Sequence, residues 1–160
     1  MTNESESYIT RRTVLVGIAG VTALGTAPLL ARRAEATPET MKAAIHRVIG
    51  EAPVRKGKVT LDIPPLVENG NTIAMSVSVD SPMTETNYVK AIHVFNEKNP
   101  QPHVFDARLG PQNGKAAIST RIKLGDSQKI VAIAETSKGE FFSASADVIV
   151  TLAACIEDIT

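Results

Sequence analysis

The spacing of apolar residues changes once along the chain, from the period of a helix to the period of a β-strand. Thr37 and Pro38 form a helix start, because threonine is a favoured N-cap and proline suits the first helical position. Gly50 ends the pattern, so the sequence predicts one short helix followed by a linker from Glu51 to Gly57. The helix carries a single apolar stripe made of Met41, Ala44, Ile45, Val48 and Ile49.

After the linker, apolar and polar residues alternate, which is typical of strands with one buried face. The clearest alternation lies in Ile73–Val79, where every second residue is a large apolar one. The same pattern predicts seven strands, which are Val59–Ile63, Ile73–Val79, Tyr88–Asn96, His103–Leu109, Lys115–Leu124, Lys129–Glu135 and Phe141–Leu152.

Clusters of turn-forming residues separate these strands, for example Glu68–Asn71, Asp80–Pro82 and Gly110–Gly114. Short strands at regular spacing, without intervening helices, favour an antiparallel β-sandwich of immunoglobulin-like type. We therefore predict a mainly-β domain over residues 37–152 with a short N-terminal helix. Residues 153–160 follow the last strand and are predicted to form a flexible C-terminal arm.

Residues 1–36 have the features of an export signal. Arg11 and Arg12 precede an uncharged apolar stretch, a pattern that resembles a bacterial twin-arginine signal. Ala34 and Ala36 fit a small-x-small cleavage pattern, so we expect cleavage after about Ala36 and a periplasmic mature protein. The alternative is an uncleaved membrane anchor, because the apolar stretch is near the lower length limit for a membrane span.

The charge of the chain argues against two classes of partner. Basic and acidic side chains number 17 each, and the first 36 residues hold four of the basic and three of the acidic ones. The remainder therefore carries a net charge near −1. This argues against nucleic acid, and against an anionic membrane after signal cleavage, as partners.

Motifs of catalytic or cofactor chemistry are missing from the sequence. It contains no Gly-rich phosphate loop, no H-E-x-x-H, no C-x-x-C and no G-x-S-x-G. The three histidines are scattered: His46 is predicted on the helix, His103 at a strand start and His93 inside a strand. Their spacing is not that of a metal site. His93 alternates with apolar residues and is therefore predicted to be a packed or half-exposed strand residue. The sequence predicts no metal, no cofactor and no catalytic residue.

Cys155 is the single cysteine, and it lies past the last predicted strand. It cannot form an internal disulfide, so in an exported protein it is free or pairs between chains. One interpretation is a buried structural cysteine. The other is a thiol on an arm, whose thiolate forms covalent S–S adducts. Glu157 and Asp158 disfavour a thiolate, so we expect its activation to come from a partner.

Four stretches of the chain carry a family resemblance: Gly57–Pro64, Glu68–Thr72, Val77–Thr84 and Tyr88–Pro100. Together with the twin-arginine pattern, they resemble the SoxY family, the sulfur-carrier subunits of the periplasmic thiosulfate-oxidising Sox system. The resemblance spans nearly the whole chain after residue 36 and implies an immunoglobulin-like sandwich. It also implies a SoxZ-like partner subunit and separate enzymes that act on sulfur intermediates held on a cysteine of a C-terminal arm.

The arm departs from the Gly-Gly-Cys-Gly-Gly arm of SoxY. Cys155 matches the carrier cysteine, but Ala153, Ala154, Ile156 and Glu157 stand where the family has glycine. The chain is similar in this respect to the SoxY-related group named for an Ala-Ala-Cys-Ile-Glu (AACIE) arm. Ile156 is β-branched and stiffer than glycine, so the resemblance carries over the cysteine but not the same enzyme channels or cargo.

From these features we expect a non-enzymatic carrier that holds a sulfur-containing or related group on Cys155 and works with a SoxZ-like partner. Two alternatives stay open. The first is a non-catalytic binding module that docks such a partner through its sandwich and tail. The second is a redox-linked dimer joined through Cys155.

Overall fold

The computed structural model describes residues 37–154, and within them the mainly-β prediction is confirmed. The predicted signal residues Arg11, Arg12, Ala34 and Ala36 lie outside this range, as do Cys155, Ile156 and Glu157. The elements are α1 (Pro38–Ile49), β1 (Val54–Lys56), β2 (Val59–Asp62), β3 (Leu66–Asn69), β4 (Ile73–Val79), β5 (Val89–Asn96), β6 (His103–Arg108), β7 (Ala116–Ile122), β8 (Gln128–Thr136) and β9 (Phe141–Leu152).

Two sheets pack face to face as a sandwich. The larger sheet has the order β1-β9-β8-β5-β6, with β3 also pairing with β9, and the smaller has the order β2-β4-β7. Alternate residues of each sheet point into the shared core, as expected for strands with one buried face. The core includes Val77, Ile92, Val94, Leu124 and Ile130, each with no exposed surface.

The helix covers the outer face of the larger sheet. The predicted N-cap is confirmed: Thr40 N–H donates to Thr37 Oγ1 (3.3 Å) and Thr37 N–H donates to Thr40 Oγ1 (3.0 Å). This reciprocal capping satisfies two backbone donors that a helix start leaves free. The apolar stripe then packs through Met41 and Ala44 against Phe95 and Ile133 of the sheet.

The sequence pattern did not predict two of the strands, so the predicted linker and one predicted turn are corrected. The linker Glu51–Gly57 contains β1, and the turn predicted at Glu68–Asn71 begins inside β3. Both strands pair in parallel with β9, whereas the other strand pairs are antiparallel. With three and four residues, and with most side chains exposed, they are too short to show an alternation.

Of the helices that the structure describes within residues 37–154, none combines the length and the apolar character that crossing a membrane requires.

Candidate functional site

The predicted carrier arm leaves the domain at the end of β9. Three backbone hydrogen bonds hold this end: Gly70 N–H donates to Leu152 O (2.8 Å), Leu124 N–H to Gly70 O (2.9 Å) and Ala154 N–H to Leu124 O (3.1 Å). We call Gly70, Leu124, Leu152 and Ala154 the arm clamp. Ala153 is exposed, but Ala154 is only 8% exposed, so the arm is anchored immediately before residue 155.

Glycine is required at position 70 because the chain closes around it. A Cβ atom there would overlap Leu124 O and would lie 2.9 Å from Ala154 N and 3.1 Å from Val150 Cγ1. Two of these three atoms belong to the backbone and cannot rotate away. The absence of a side chain therefore lets the turn after β3 reach both Leu124 and Leu152.

Two polar side chains hold the turn that contains Leu124. Asn99 Nδ2 donates to Lys123 O (2.8 Å), and Asn99 Oδ1 accepts from the backbone N–H of Gly125 (3.0 Å). Gln128 is 5% exposed, and its Nε2 donates to Asn99 Oδ1 (2.8 Å). The residues on both sides of Leu124 are thereby fixed, which keeps the Leu124 carbonyl directed at the arm.

Three large apolar side chains are exposed beside the clamp, namely Leu66 (60%), Ile149 (58%) and Leu152 (63%). Leu66 pairs directly with Ile149 in the parallel ladder of β3 and β9, while their neighbours Val67 and Val150 pack on the core. Leu66 and Ile149 therefore point away from the sandwich core. Leu152 lies three residues after Ile149 and points to the other face of β9, so Leu66 and Ile149 form the shared apolar patch, a feature that suits a protein–protein contact.

A second group of polar side chains lies on the outer face of the larger sheet. Asp106 Oδ1 accepts from His93 Nδ1 and from His103 Nε2, each at 2.6 Å. We call His93, His103 and Asp106 the histidine cluster. His93 lies opposite Asp106 in the ladder of β5 and β6, and a register shift between Val94 and Phe95 brings His103 to the same face.

The surroundings fix the rings of this cluster. His103 stacks on buried Phe95, with 4.8 Å between ring centroids and 22° between planes. Partial burial alone would raise the pKa of Asp106, but the hydrogen bonds and positive charge of His93 and His103 outweigh it and leave the pKa below its ordinary value. His93 Nε2 is buried and has no hydrogen-bond partner among residues 37–154, and Glu135 Oε2 lies 4.0 Å away.

Of the three histidines noted in the sequence, the structure brings His93 and His103 together and leaves His46 apart. His46 lies on α1, exposed and hydrogen-bonded to Glu51, far in sequence from the other two. His93 is a packed strand residue, as predicted, with 7% of its surface exposed. Its meeting with His103 and Asp106 depends on the register of β5 and β6, which the residue pattern alone does not define.

The family comparison agrees with the resemblance read from the sequence. The family model described as sulfur oxidation protein SoxY matches residues 45–155, which is more than half of the chain and includes Cys155. Among curated proteins, none matches the chain.

Solved structures share the fold. The sulfur carrier protein SoxY from Chlorobium limicola f thiosulfatophilum is 22% identical with a TM-score of 0.60, covering 71% of this chain and 98% of that chain. Superoxide reductase (neelaredoxin) from Ignicoccus hospitalis is 16% identical with a TM-score of 0.53, covering 59% and 80%. These likenesses concern architecture, which unrelated activities share. The family match over residues 45–155 goes further: this chain belongs to the SoxY family.

Proposed function

We propose that this protein is a sulfur carrier that holds a sulfur-containing or related group covalently on Cys155. The observation that carries the proposal is the SoxY family match, which runs up to and includes the single cysteine of the chain. The anchored Ala154 supports it, because the residues that the structure describes end in a backbone N–H bonded to the domain, immediately before the cysteine.

The chemistry of such a carrier is exchange at sulfur. A Cys155 thiolate that joins a sulfur anion through an S–S bond loses two electrons together with that anion, so a separate enzyme must accept the pair. A second enzyme then removes or shortens the bound group. The protein itself supplies the thiol and its position, which is why we propose a carrier that serves enzymes and not an enzyme acting alone.

The arm clamp gives the carrier a resting position. The bond that ties Ala154 to Leu124 is a single backbone hydrogen bond, and such a bond contributes a net of about 0.5–1.5 kcal/mol. Thermal motion opens it often, so the arm is held between encounters and released when an enzyme binds it. The clamp therefore supports a reversible arm in preference to a permanently free one.

A SoxZ-like subunit is the proposed partner, since membership of the SoxY family implies one. Leu66 and Ile149 offer a small apolar surface on β3 and on β9, the strand that leads into the arm, so a partner subunit bound there would lie close to the arm. For its place in the cell we propose the periplasm, reached through the twin-arginine pathway. The paired Arg11 and Arg12 of the predicted signal support this proposal.

The direct test is the intact mass of the protein purified under non-reducing conditions from cells that oxidise reduced sulfur compounds. We expect a mass increase that reductant removes, and we expect Cys155→Ser to abolish both the adduct and the sulfur oxidation. Ser137→Ala serves as a control for a change elsewhere in the domain. An unmodified Cys155 together with undisturbed sulfur oxidation in Cys155→Ser cells would contradict the proposal.

The exposed apolar surface also favours a second candidate function, a binding module without carrier chemistry. In that case Cys155→Ser still binds the SoxZ-like partner and supports sulfur oxidation, whereas Leu66→Asp and deletion of residues 153–160 both weaken binding. Non-reducing gel electrophoresis separates the third possibility, because a dimer linked through Cys155 migrates at twice the mass until reductant is added.

A further inference from the structure

The histidine cluster unites three metal-binding side chains on adjacent strands, away from the arm. One ligand atom from each of His93, His103 and Asp106 lies within 4.8 Å of the other two. In a four-coordinate site with bonds of about 2.0–2.1 Å, neighbouring ligand atoms lie roughly 3.3 Å apart. The two 2.6 Å hydrogen bonds to Asp106 therefore need to open by less than about 1 Å to admit an ion.

A local irregularity of the sheet builds this arrangement. His103 and Asp106 are three residues apart, and on a regular strand such residues point to opposite faces. The register shift in the β5–β6 ladder places His103 opposite Phe95 and Asp106 opposite His93, so both side chains reach the outer face. Bulges that re-aim a side chain in this way are enriched beside functional sites.

The unpartnered nitrogen of His93 is an independent indication. Asp106 accepts a hydrogen bond from Nδ1–H, so in neutral His93 the Nε2 lone pair is buried and lies 4.0 Å from the carboxylate of Glu135. A cation on Nδ1 moves the ring proton to Nε2, which can donate a hydrogen bond to Glu135 once the 4.0 Å gap to its carboxylate closes by about 1 Å. Metal-bound histidines usually donate their second nitrogen to a carboxylate in this manner.

We infer that His93 Nδ1, His103 Nε2 and the Asp106 carboxylate bind a divalent transition-metal cation of the zinc or iron(II) class. Two imidazoles and one carboxylate are the ligand set that these ions prefer, and three protein ligands leave at least one coordination position open. Asp106 and His103 are 44% and 35% exposed in their side chains, so the open position faces solvent. The inference does not depend on the carrier role of the arm.

The test uses the Cys155→Ser chain, purified without a polyhistidine tag and treated with chelator, so that neither a thiol nor a tag binds metal. Titration with Zn²⁺ by calorimetry and with Co²⁺ by visible absorption is expected to show one ion per chain. The Co²⁺ spectrum should contain d–d bands of a nitrogen and oxygen site and no thiolate charge-transfer band.

The Zn²⁺ affinities of single variants distinguish the proposed ligands from residues that do not bind the ion. His103→Ala and Asp106→Asn change partly exposed side chains and are expected to weaken Zn²⁺ binding at least about 100-fold, more than the loss of an outer-shell partner. Glu135→Gln should weaken it about 10-fold. His46→Ala removes a histidine of α1 that lies outside the cluster and should leave the affinity unchanged.

Two results would overturn the inference. The first is Zn²⁺ binding by the starting protein that is no tighter than binding by the double variant His103→Ala, Asp106→Asn. The second is stoichiometric binding that His46→Ala abolishes, which would locate the ion elsewhere. Circular dichroism of each variant establishes that it is folded before its affinity is compared.

Discussion

The arm clamp joins its parts through main-chain groups, whereas the histidine cluster joins its parts through side chains. In the clamp, Gly70, Leu124 and Ala154 contact one another through N–H and C=O groups. In the cluster, His93 and His103 meet on the carboxylate of Asp106. Main-chain hydrogen bonds involve no ionisable group, whereas the imidazole and carboxylate groups of the cluster can gain or lose a proton.

This difference indicates how each region responds to its surroundings. The clamp is built from main-chain groups, so we expect pH and metal ions to leave it unchanged. The cluster is built from ionisable side chains, and the proposed metal ion would open its hydrogen bonds to Asp106. We therefore expect the cluster, and not the clamp, to respond to acid and to metal ions.

The largest effect is expected from Gly70→Ala, which breaks the clamp. The new Cβ overlaps Leu124 O and crowds Ala154 N, so the free energy of unfolding should fall by about 2–3 kcal/mol. We also expect Cys155 to react faster with a maleimide, because Ala154 loses its hydrogen bond. Urea denaturation and labelling rates measure the two effects.

Gly139→Ala is the matched control for this change. Gly139 has a positive φ of 74°, but a Cβ there has no atom within 4 Å, so only backbone strain of about 1 kcal/mol is introduced. Its labelling rate should equal that of the unchanged protein. Equal destabilisation and equal labelling in both variants would mean that crowding at the clamp does not govern the arm.

A smaller loss is expected when the support behind the clamp is removed by Gln128→Leu. This buried side chain bonds Asn99 and accepts from the backbone N–H of Lys98, which would be left without that partner. The free energy of unfolding should fall by about 1–2 kcal/mol, with a moderate rise in the labelling rate of Cys155. Exposed Gln101→Leu, the same substitution at the surface, should change stability by less than about 0.5 kcal/mol.

The smallest effect concerns pH and distinguishes the cluster from the clamp. Hydrogen bonds with His93 and His103 outweigh partial burial and hold the pKa of Asp106 below its usual value of about 3.9. The resulting stability is present above pH 4 and is lost as the pH falls through the folded-state pKa. On acidification, the free energy of unfolding of the chelator-treated protein should therefore fall by up to about 1 kcal/mol more than that of its Asp106→Asn variant.

Asp126→Asn provides the comparison for that measurement. The hydrogen bonds from Lys98 and from the backbone of Ser127 lower the pKa of Asp126 too, but its side chain is 59% exposed. Solvent and salt screen the Asp126–Lys98 pair, so the stability of Asp126→Asn should depend on pH in nearly the same way as that of the unchanged protein. If Asp126→Asn changed the pH dependence of stability more than Asp106→Asn does, the claim that the cluster is the pH-sensitive region would be wrong.

The sequence predicted the helix and seven of the strands, because capping residues and the spacing of apolar residues act over short stretches of the chain. The helix follows from the cap at Thr37 and the stripe that ends at Gly50, and the seven predicted strands follow from their alternation. β1 and β3 were missed because their pairing with β9 is long-range and parallel, and because most of their side chains are exposed.

Neither region compared above could be assembled from the sequence. The clamp uses backbone groups, which every residue possesses, so only the glycine at position 70 hints at a close approach. The cluster needs the one-residue shift between Val94 and Phe95, and the turn between β5 and β6 does not reveal that shift. Cys155 could be proposed as the carrier residue because a single thiol after the last predicted strand is a chemical signal independent of register.

The pairing of β9 has a mechanical consequence for the arm it carries. β9 is hydrogen-bonded to β8 on one side and to β1 and β3 on the other, along most of its length. A force applied along β9 loads these ladders in shear, so many hydrogen bonds share it before any of them breaks. Under the proposed carrier role, the single hydrogen bond of Ala154 would open before the ladders of β9, and the sandwich would stay folded while an enzyme holds the arm.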